Sequence, residues 1–432
     1  MSGNGKAPKA ADIVVIGGGI VGCATAYYLA KRGQSVVVLD RGGIADEQSS
    51  RAWGFVRQQG RHDSEVPMAA EASRVWPELG KELNADLEYV RRGILVLAET
   101  PADLARIEDG ARVAARHGLN TLLLGSEELR AKLPGLNGPW KAAIFTEGDG
   151  HAEPRKTTEA FARAAAGRGA TFLTGMPALG IEVANGRVAA VVTASGRIRA
   201  GAVLCAAGIG TPAILGTVGI SLPIQVIRTF VGETHETKPF TQIACWGPYV
   251  SFRPTPRGTF YIGTGYRDTG TEYDLTPSAL RHVKYFLPTY RENWRYVRPR
   301  LGKEFAADLV QTFRGGVPAR PLPEPPINRG RVDFIERRFY QLFPHLQGLG
   351  SKRTWAGRID MTPDLLPIMD GFESPAGLYI GAGFSGHGFA LGPVTGRLLS
   401  ELIVDGRPSL ELRPFRSGRF KDGDFAASPH AL

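Results

Sequence analysis

The sequence predicts an α/β protein of two units: a parallel-sheet domain whose parts are scattered along the chain, and a second, mainly antiparallel-sheet domain that carries helices. Three observations predict it. Residues 13–40 read IVVIGGGIVGCATAYYLAKRGQSVVVLD, an apolar run, a glycine turn, a helical stretch and a second apolar run. A second strand, glycine loop and helix recur far away, in GLYIGAGFSGHGFALGPVTGRLLSELI at 377–403. Between them, 225–266 alternates apolar and polar residues in the period-two pattern of antiparallel strands. At 432 residues the chain exceeds what one hydrophobic core serves, so a division into domains is expected.

The first element carries the most specific chemistry. Gly17 lets the chain turn out of strand 13–16, Gly19 lets backbone approach a pyrophosphate, and Gly22 lets the helix press on the strand. The helix N-terminus then offers free N–H groups and the positive end of its dipole to phosphate. Asp40, 23 residues after Gly17, closes the second strand where a carboxylate meets a ribose diol. Strand, turn, helix, strand and acid in this order make a Rossmann-like dinucleotide-binding unit, which by itself fits FAD or NAD.

The remaining elements follow in sequence. Residues 42–61 read as a polar loop returning over a ligand. Helices are expected at about 64–83 and 101–117, with GILVLAE and AAIFTEG as strands flanking the second. A helix at 154–167 precedes short strands at 171–173, 187–193 and 202–206, with Ser195-Gly196 as a turn. The strands VIRTFVGETH, YVSFRP and TFYIGTG form the antiparallel sheet, turned at Pro256-Arg257-Gly258. Residues 277–313 form an amphipathic helical stretch with Phe286, Tyr290, Trp294, Val297, Leu301, Phe305 and Leu309 on one stripe, kinked or divided by Pro288 and Pro299. A proline-rich connector, VPARPLPEPPINRG, leads back to strands at 351–355 and 377–382. The expected division is 11–88, 149–224 and 351–410 for the cofactor domain, 89–148 and 225–350 for the substrate domain, and 411–432 as a tail.

Composition narrows the function classes. The net charge of +10 would suit a nucleic-acid partner, but no nucleic-acid-binding motif accompanies it, so none is expected. The surplus is concentrated in Arg281, Lys284, Arg291, Arg295, Arg298, Arg300 and Lys303, set against Glu292 alone. That basic amphipathic stretch reads as a helix on its own core, a partner-subunit surface, or a membrane-surface contact in which Trp294, Phe286 and the arginines dock. Cys23, Cys205 and Cys245 are far apart and read as reduced thiols. With no signal-type apolar segment in MSGNGKAPKA and no membrane-spanning run, a cytoplasmic protein is expected, peripheral at the inner membrane face if the basic stretch docks there. No metal-ligand spacing is present, so no metal is expected. Ser385 lacks the setting of a hydrolase nucleophile.

The C-terminal glycine loop can lay its backbone against a flat ring, with its helix dipole stabilising negative charge on a reduced flavin. Together with TWAGRIDMTPDLLPIMD before it, this run resembles the FAD-dependent amine oxidoreductases of the D-amino acid oxidase superfamily, of sarcosine oxidase, dimethylglycine dehydrogenase, glycine oxidase and proline or opine dehydrogenase subunit type. The resemblance covers about residues 12–402. It implies that Gly17, Gly19, Ile20, Val21, Gly22, Asp40 and Arg41 hold the ADP half of FAD. In the same way it implies cofactor contacts from Ser49, Ser50, Arg51, Gly54, Ala178, Ala207, Gly208, Gly357, Gly383, Gly386, His387, Gly388 and Phe389.

Arg57 stands where sarcosine oxidase relatives place an arginine near the substrate carboxylate; its other reading is a support for the flavin loop. Tyr249 and Arg253, on one face of their strand, and His387 are further candidates for substrate contact. Two departures matter. The lysine that follows GFSGHGF in monomeric sarcosine oxidase is Ala390 here, so the substrate anchor differs. Gly357-Arg358 stands where that enzyme has its flavin-linking cysteine, so FAD is expected to be non-covalent. Arg358 is offset by one residue from the carboxylate-binding arginine of glycine oxidase, which in a strand turns it to the opposite face.

The implied reaction is oxidation of the C–N bond of a secondary or N-substituted amino acid, an amine with a carboxylate. The alternatives are oxidation of a 2-hydroxy acid and an electron-transferring subunit of a larger amine dehydrogenase.

Overall fold

The computed structural model describes residues 8–267 and 270–426. Residues 1–7 and, in the expected tail, 427–432 lie outside the described residues, as does the side chain of Lys303 in the basic stretch.

The apolar runs of the nucleotide unit form the centre of an eight-stranded sheet. Its spatial order is Ile368–Phe372, Leu378–Ala382, Gly196–Cys205, Ala10–Ile16, Val36–Asp40 and Thr171–Thr174. The last five are mutually parallel, and Ile368–Phe372 is an antiparallel edge. Val14 and Val15 have no exposed surface, as strands covered on both faces require. Helices Ile20–Lys31, Pro154–Ala166, Gly388–Asp405 and Val66–Glu82 share one core around Tyr27, Trp76, Phe161 and Leu398. The opposite face is covered from Ile181, Val191, Ile214 and Leu215. Ala178–Ala184, unexpected from sequence, forms a hairpin with Arg187–Thr193. Asn185 and Gly186 both take positive φ in its turn, as tight hairpins demand.

The second sheet has ten strands and is mainly antiparallel. Its spine is Gln225–Thr234, paired with Ser351–Met361 from Gln225 opposite Met361 to Thr234 opposite Ser351. This corrects the sequence expectation, which ended that strand at 355. From Trp355 to Met361 both faces are largely buried, which blurs the alternation that would have marked the strand's membership. Ile94–Ala98 and Ala142–Thr146 pair with each other rather than merely flanking a helix.

The stretch 277–313 is not one kinked helix. It comprises Pro277–Arg281, Val283–Glu292 and Lys303–Arg314, with a short strand, Val297–Pro299, between the last two. Pro288 is accommodated inside the middle helix, whereas Pro299 ends the strand. Phe286 is fully buried against Ile227, Tyr273 and Met361, as the reading of a helix on its own core requires and unlike its docking role in the partner and membrane readings. Leu280, Val283, Leu287, Trp294, Leu301, Leu309, Val310 and Phe313 are exposed instead. Among the described residues no helix is long and apolar enough to cross a membrane.

Candidate active site

Both glycine turns open into one cavity of about 1330 Å³ between the two sheets. At its first end, Gly17 takes φ +120°, and a Cβ there would lie 2.2 Å from the Ala206 carbonyl oxygen. A Cβ on Gly22 would lie 2.0 Å from the Gly17 carbonyl oxygen. Strand, turn and helix therefore close only because both side chains are missing. Ser49 Oγ accepts the Ile20 N–H at 2.9 Å, which ties the returning loop to the helix N-terminus. Asp40 accepts the Gly18 and Gly42 N–H groups, each at 2.7 Å, so this carboxylate also shapes the turn it faces. Burial nevertheless raises its pKa above the ordinary carboxylate value. Gly17, Gly19, Ile20, Val21, Asp40, Arg41, Ser49, Ala178, Ala207 and Gly208 all line the cavity.

The other glycine loop forms the far wall. Gly386, His387, Gly388 and Phe389 line it, opposite Arg51, Gly54 and Gly357. Neither of the two helices that follow the glycine turns has an acidic residue in its first turn, so both present uncompensated positive dipole ends to the cavity. The joint between the two loops is Asp360. It accepts the Gln48 amide at 2.6 Å and the Gly383 N–H at 2.6 Å, and its carbonyl accepts the Ser385 N–H at 2.9 Å. Sequence reasoning missed both Gln48 and Asp360, because nothing in spacing marks a contact over 312 residues.

Three expected contacts are not at the wall. Gly22 lies behind the turn as a packing residue. Ser50 turns its hydroxyl to the Glu47 carbonyl at 3.1 Å, and Gly383 supports the loop through Asp360.

At the remaining end Arg57 is buried, its guanidinium 4.3 Å above the Trp246 ring. Nη1 makes contacts with the Gln59 and Gly60 carbonyls at 3.2 and 3.5 Å. Burial, and then neighbouring Arg61, lower its pKa to about 9, which leaves it protonated at neutral pH. Trp53, Phe55, Trp246 and Arg61 line the same region. His387 Nδ1 is 3.0 Å from the fully buried Glu65 carboxylate. Burial, and then Arg61, push the imidazole down to about 4, so it is neutral. Burial opposes ionisation of Glu65, but His387 and Arg61 outweigh it and keep its pKa below the usual range. An ionised carboxylate only accepts, so the His387 proton sits on Nδ1 and Nε2 is left as an acceptor. Behind this wall Asp149 accepts the Gln58 N–H at 2.8 Å, and burial pushes it up to about 7.

Two sequence candidates are corrected. Tyr249 does not line the cavity. Its hydroxyl accepts from Arg267 at 2.7 Å, and Arg338 stacks on its ring at 4.2 Å. Arg253 is fully buried behind Gly54, bonded to Glu153 at 3.0 Å and stacked on Tyr261 at 4.3 Å. Tyr249 lies just before the strand Val250–Pro254, which is paired on both sides inside the sheet, so it falls outside the alternation expected to place it on one face with Arg253. Arg358 bonds the Pro323 carbonyl at 2.7 Å, beside Glu47. Arg61 and Glu65 had a legible i,i+4 spacing; Trp246 had no signal. Among the described residues, none of the three buried cysteines lines the cavity.

This chain is 26% identical over 423 residues to mitochondrial sarcosine dehydrogenase of Homo sapiens, covering 96% of this chain and 42% of that protein. It is 24% identical over 427 residues to sarcosine oxidase subunit beta of Rhodobacter capsulatus, covering 96% of this chain and 90% of that one. The chain thus spans less than half of the first relative and most of the second. Among solved structures, L-amino acid deaminase from Proteus myxofaciens in complex with anthranilate matches with a TM-score of 0.88 at 25% identity, over 97% of this chain and 96% of that chain. The family model described as FAD dependent oxidoreductase matches residues 12–402, and the chain with its two-turn cavity belongs to that family.

Proposed function

We propose that this protein oxidises the C–N bond of a secondary or N-substituted amino acid, N-methyl, proline-like or opine-like, with FAD held non-covalently. The observation that carries the reading is one cavity that joins two glycine turns and two helix N-termini to a buried, cationic, aromatic wall. Bound FAD would take a hydride from the carbon beside the amine, leaving an imine for water to hydrolyse.

The chain's residues then have separate tasks. Gly17, Gly19, Ile20 and Ser49 bind pyrophosphate, and Asp40 and Arg41 face the ribose. Ala178, Ala207 and Gly208 border the adenine side, and Arg51, Gly54, Gly357, Gly386, Gly388 and Phe389 border the ring. The burial of all three cysteines away from the cavity supports non-covalent binding. Arg57 orients the substrate carboxylate. Trp53, Phe55 and Trp246 exclude water, and desolvation beside cations favours the neutral, reactive amine over the ammonium ion. His387 Nε2 accepts a hydrogen bond from the amine N–H.

The same reading divides the chain into a cofactor unit of 11–88, 149–224 and 351–410, whose strand Ser351–Met361 reaches into the second sheet, a substrate unit of 89–148 and 225–350, and a tail of 411–432. The exposed apolar and basic side chains of 277–313 are its contact with a partner subunit or an anionic membrane surface. The buried, unpaired thiols favour the reducing cytoplasm, with that contact at the inner membrane face.

The test is an anaerobic screen of amines and 2-hydroxy acids, read by loss of flavin colour. Bleaching by N-substituted amino acids is expected; bleaching by hydroxy acids alone would sink the proposal. Liposome flotation with and without anionic lipid, together with size analysis, tests the 277–313 contact. A monomer indifferent to liposomes removes it.

A further inference from the structure

One cation at the cavity wall has no task in the reading above. The Arg61 side chain is 2% exposed, lines the cavity, and has no hydrogen-bond partner at Nη1. Its nearest acid, Glu65, forms an ion pair with that nitrogen at 3.7 Å, beyond hydrogen-bond reach, through an oxygen that itself lacks a hydrogen-bond partner, while the other oxygen meets His387. Nε and Nη2 rest at a long 3.4 Å on the Arg57 carbonyl. Trp246 repeats the pattern: its Nε1 is buried, lines the cavity and lacks a partner. A buried donor left unsatisfied costs about 1–3 kcal/mol, more when charged. Two such donors beside Arg57, on one wall, describe a site built for an acceptor with several lone pairs.

Charge counting sets the size of that acceptor. Arg57 and Arg61 are opposed by one ionised acid, Glu65, while His387 is neutral and Asp149, at about 7, is only partly charged. The surplus is about one positive charge below pH 7, where Asp149 is protonated, and smaller above it. Ala390, where monomeric sarcosine oxidase carries a lysine, is buried, and its carbonyl accepts the Trp76 indole N–H at 2.8 Å, so no cation arrives from that helix position.

We propose that Arg61 Nη1 and the Trp246 indole N–H grip the same substrate carboxylate as Arg57, with Arg61 supplying the second cation that position 390 lacks. This rests on the amino-acid reading above and sharpens it: the pocket takes a substrate with a single carboxylate and a neutral amine, net charge minus one. A carboxylate has about four lone-pair sites, enough for the Arg57 fork, Arg61 and the indole together.

The experiment uses the flavin-loaded protein and two ligands that cannot be oxidised, propionate and propionamide, with affinity read from the flavin absorbance shift. Arg61→Met is expected to weaken propionate by at least about 30-fold, with propionamide unchanged. Arg61→Lys should recover part of the loss, and Trp246→Phe should weaken propionate by about five- to tenfold. Succinate should bind no more tightly than propionate.

Wild-type affinity in Arg61→Met, or equal loss of both ligands, overturns the role of Arg61. Tighter succinate binding overturns the single-carboxylate count. If Arg61→Met does not fold, Arg61→Lys and Trp246→Phe decide by the same comparison of ligands. A wild-type protein that binds no propionate and bleaches only with amines lacking a carboxylate overturns the amino-acid reading itself. Wild-type binding with an indifferent variant overturns only the inference.

Discussion

The two ends of the cavity are built on opposite plans. The proposed phosphate end is made of backbone: Gly17, Gly19 and Gly22 within one turn, a helix N-terminus, and Asp40 bonding the Gly18 and Gly42 N–H groups. The proposed substrate end is made of side chains, Arg57, Arg61, Glu65, Trp246 and His387, drawn from segments up to 330 positions apart and held by burial and charge. Backbone sites tolerate no added atoms but carry little stored charge. Side-chain sites tolerate shape changes better, yet depend on a balance of buried ions. The two should therefore fail differently.

The largest effect is expected at the backbone end. Gly22→Val places atoms inside the Gly17 carbonyl, and the purified protein should carry no flavin by absorbance; retained yellow colour would break the contrast. Next is Arg57→Met, expected to lower kcat/KM by about 100- to 1000-fold, on the order of 3–4 kcal/mol, mostly through KM and with full flavin content. A loss of flavin instead would show that Arg57 supports the loop.

The pH dependence comes third and belongs to the side-chain end alone. Asp149, protonated below about 7, becomes an anion above it and cancels part of the arginines' field. Carboxylate affinity should fall by about tenfold as pH rises through 7, and Asp149→Asn should remove that inflection. The sign for stability agrees. A folded pKa raised above the unfolded value of 3.8 means that Asp149's contribution is full below about 4 and is lost as pH rises through about 7. Thermal melts of the two proteins between pH 5 and 8 check this.

The smallest effect sharpens the comparison within one dipeptide. Ser49→Ala removes the cap on the Ile20 N–H and should weaken flavin binding by about 1 kcal/mol. Ser50→Ala, whose hydroxyl turns to Glu47, should change it by less than about 0.5 kcal/mol. Flavin titration of the apoprotein separates them.

The phosphate end was legible in the order of residues because its contacts are local. Strand, turn, helix and acid must follow one another for the geometry to exist, and each leaves a mark in period or residue type. The same holds for the glycine loop at 383–388. Tyr249 and Arg253 show the limit: alternation assigns them a shared face, but Tyr249 lies just before the strand that carries Arg253. Arg253 stands behind Gly54, and Tyr249 lies under Arg338. Strand Ser351–Met361 was cut short because from Trp355 to Met361 both faces are largely buried, which removes the polar alternation that would have declared its sheet.

By itself the chain determined that a dinucleotide would be gripped at a helix N-terminus, since phosphate recognition here needs only missing side chains and aligned peptide dipoles, both written in consecutive residues. Only the tertiary structure decided which ions share the substrate wall. Buried charges acquire their protonation and their purpose from neighbours brought close by folding, and Arg61, Glu65, Asp149 and His387 meet through packing that no spacing along the chain encodes.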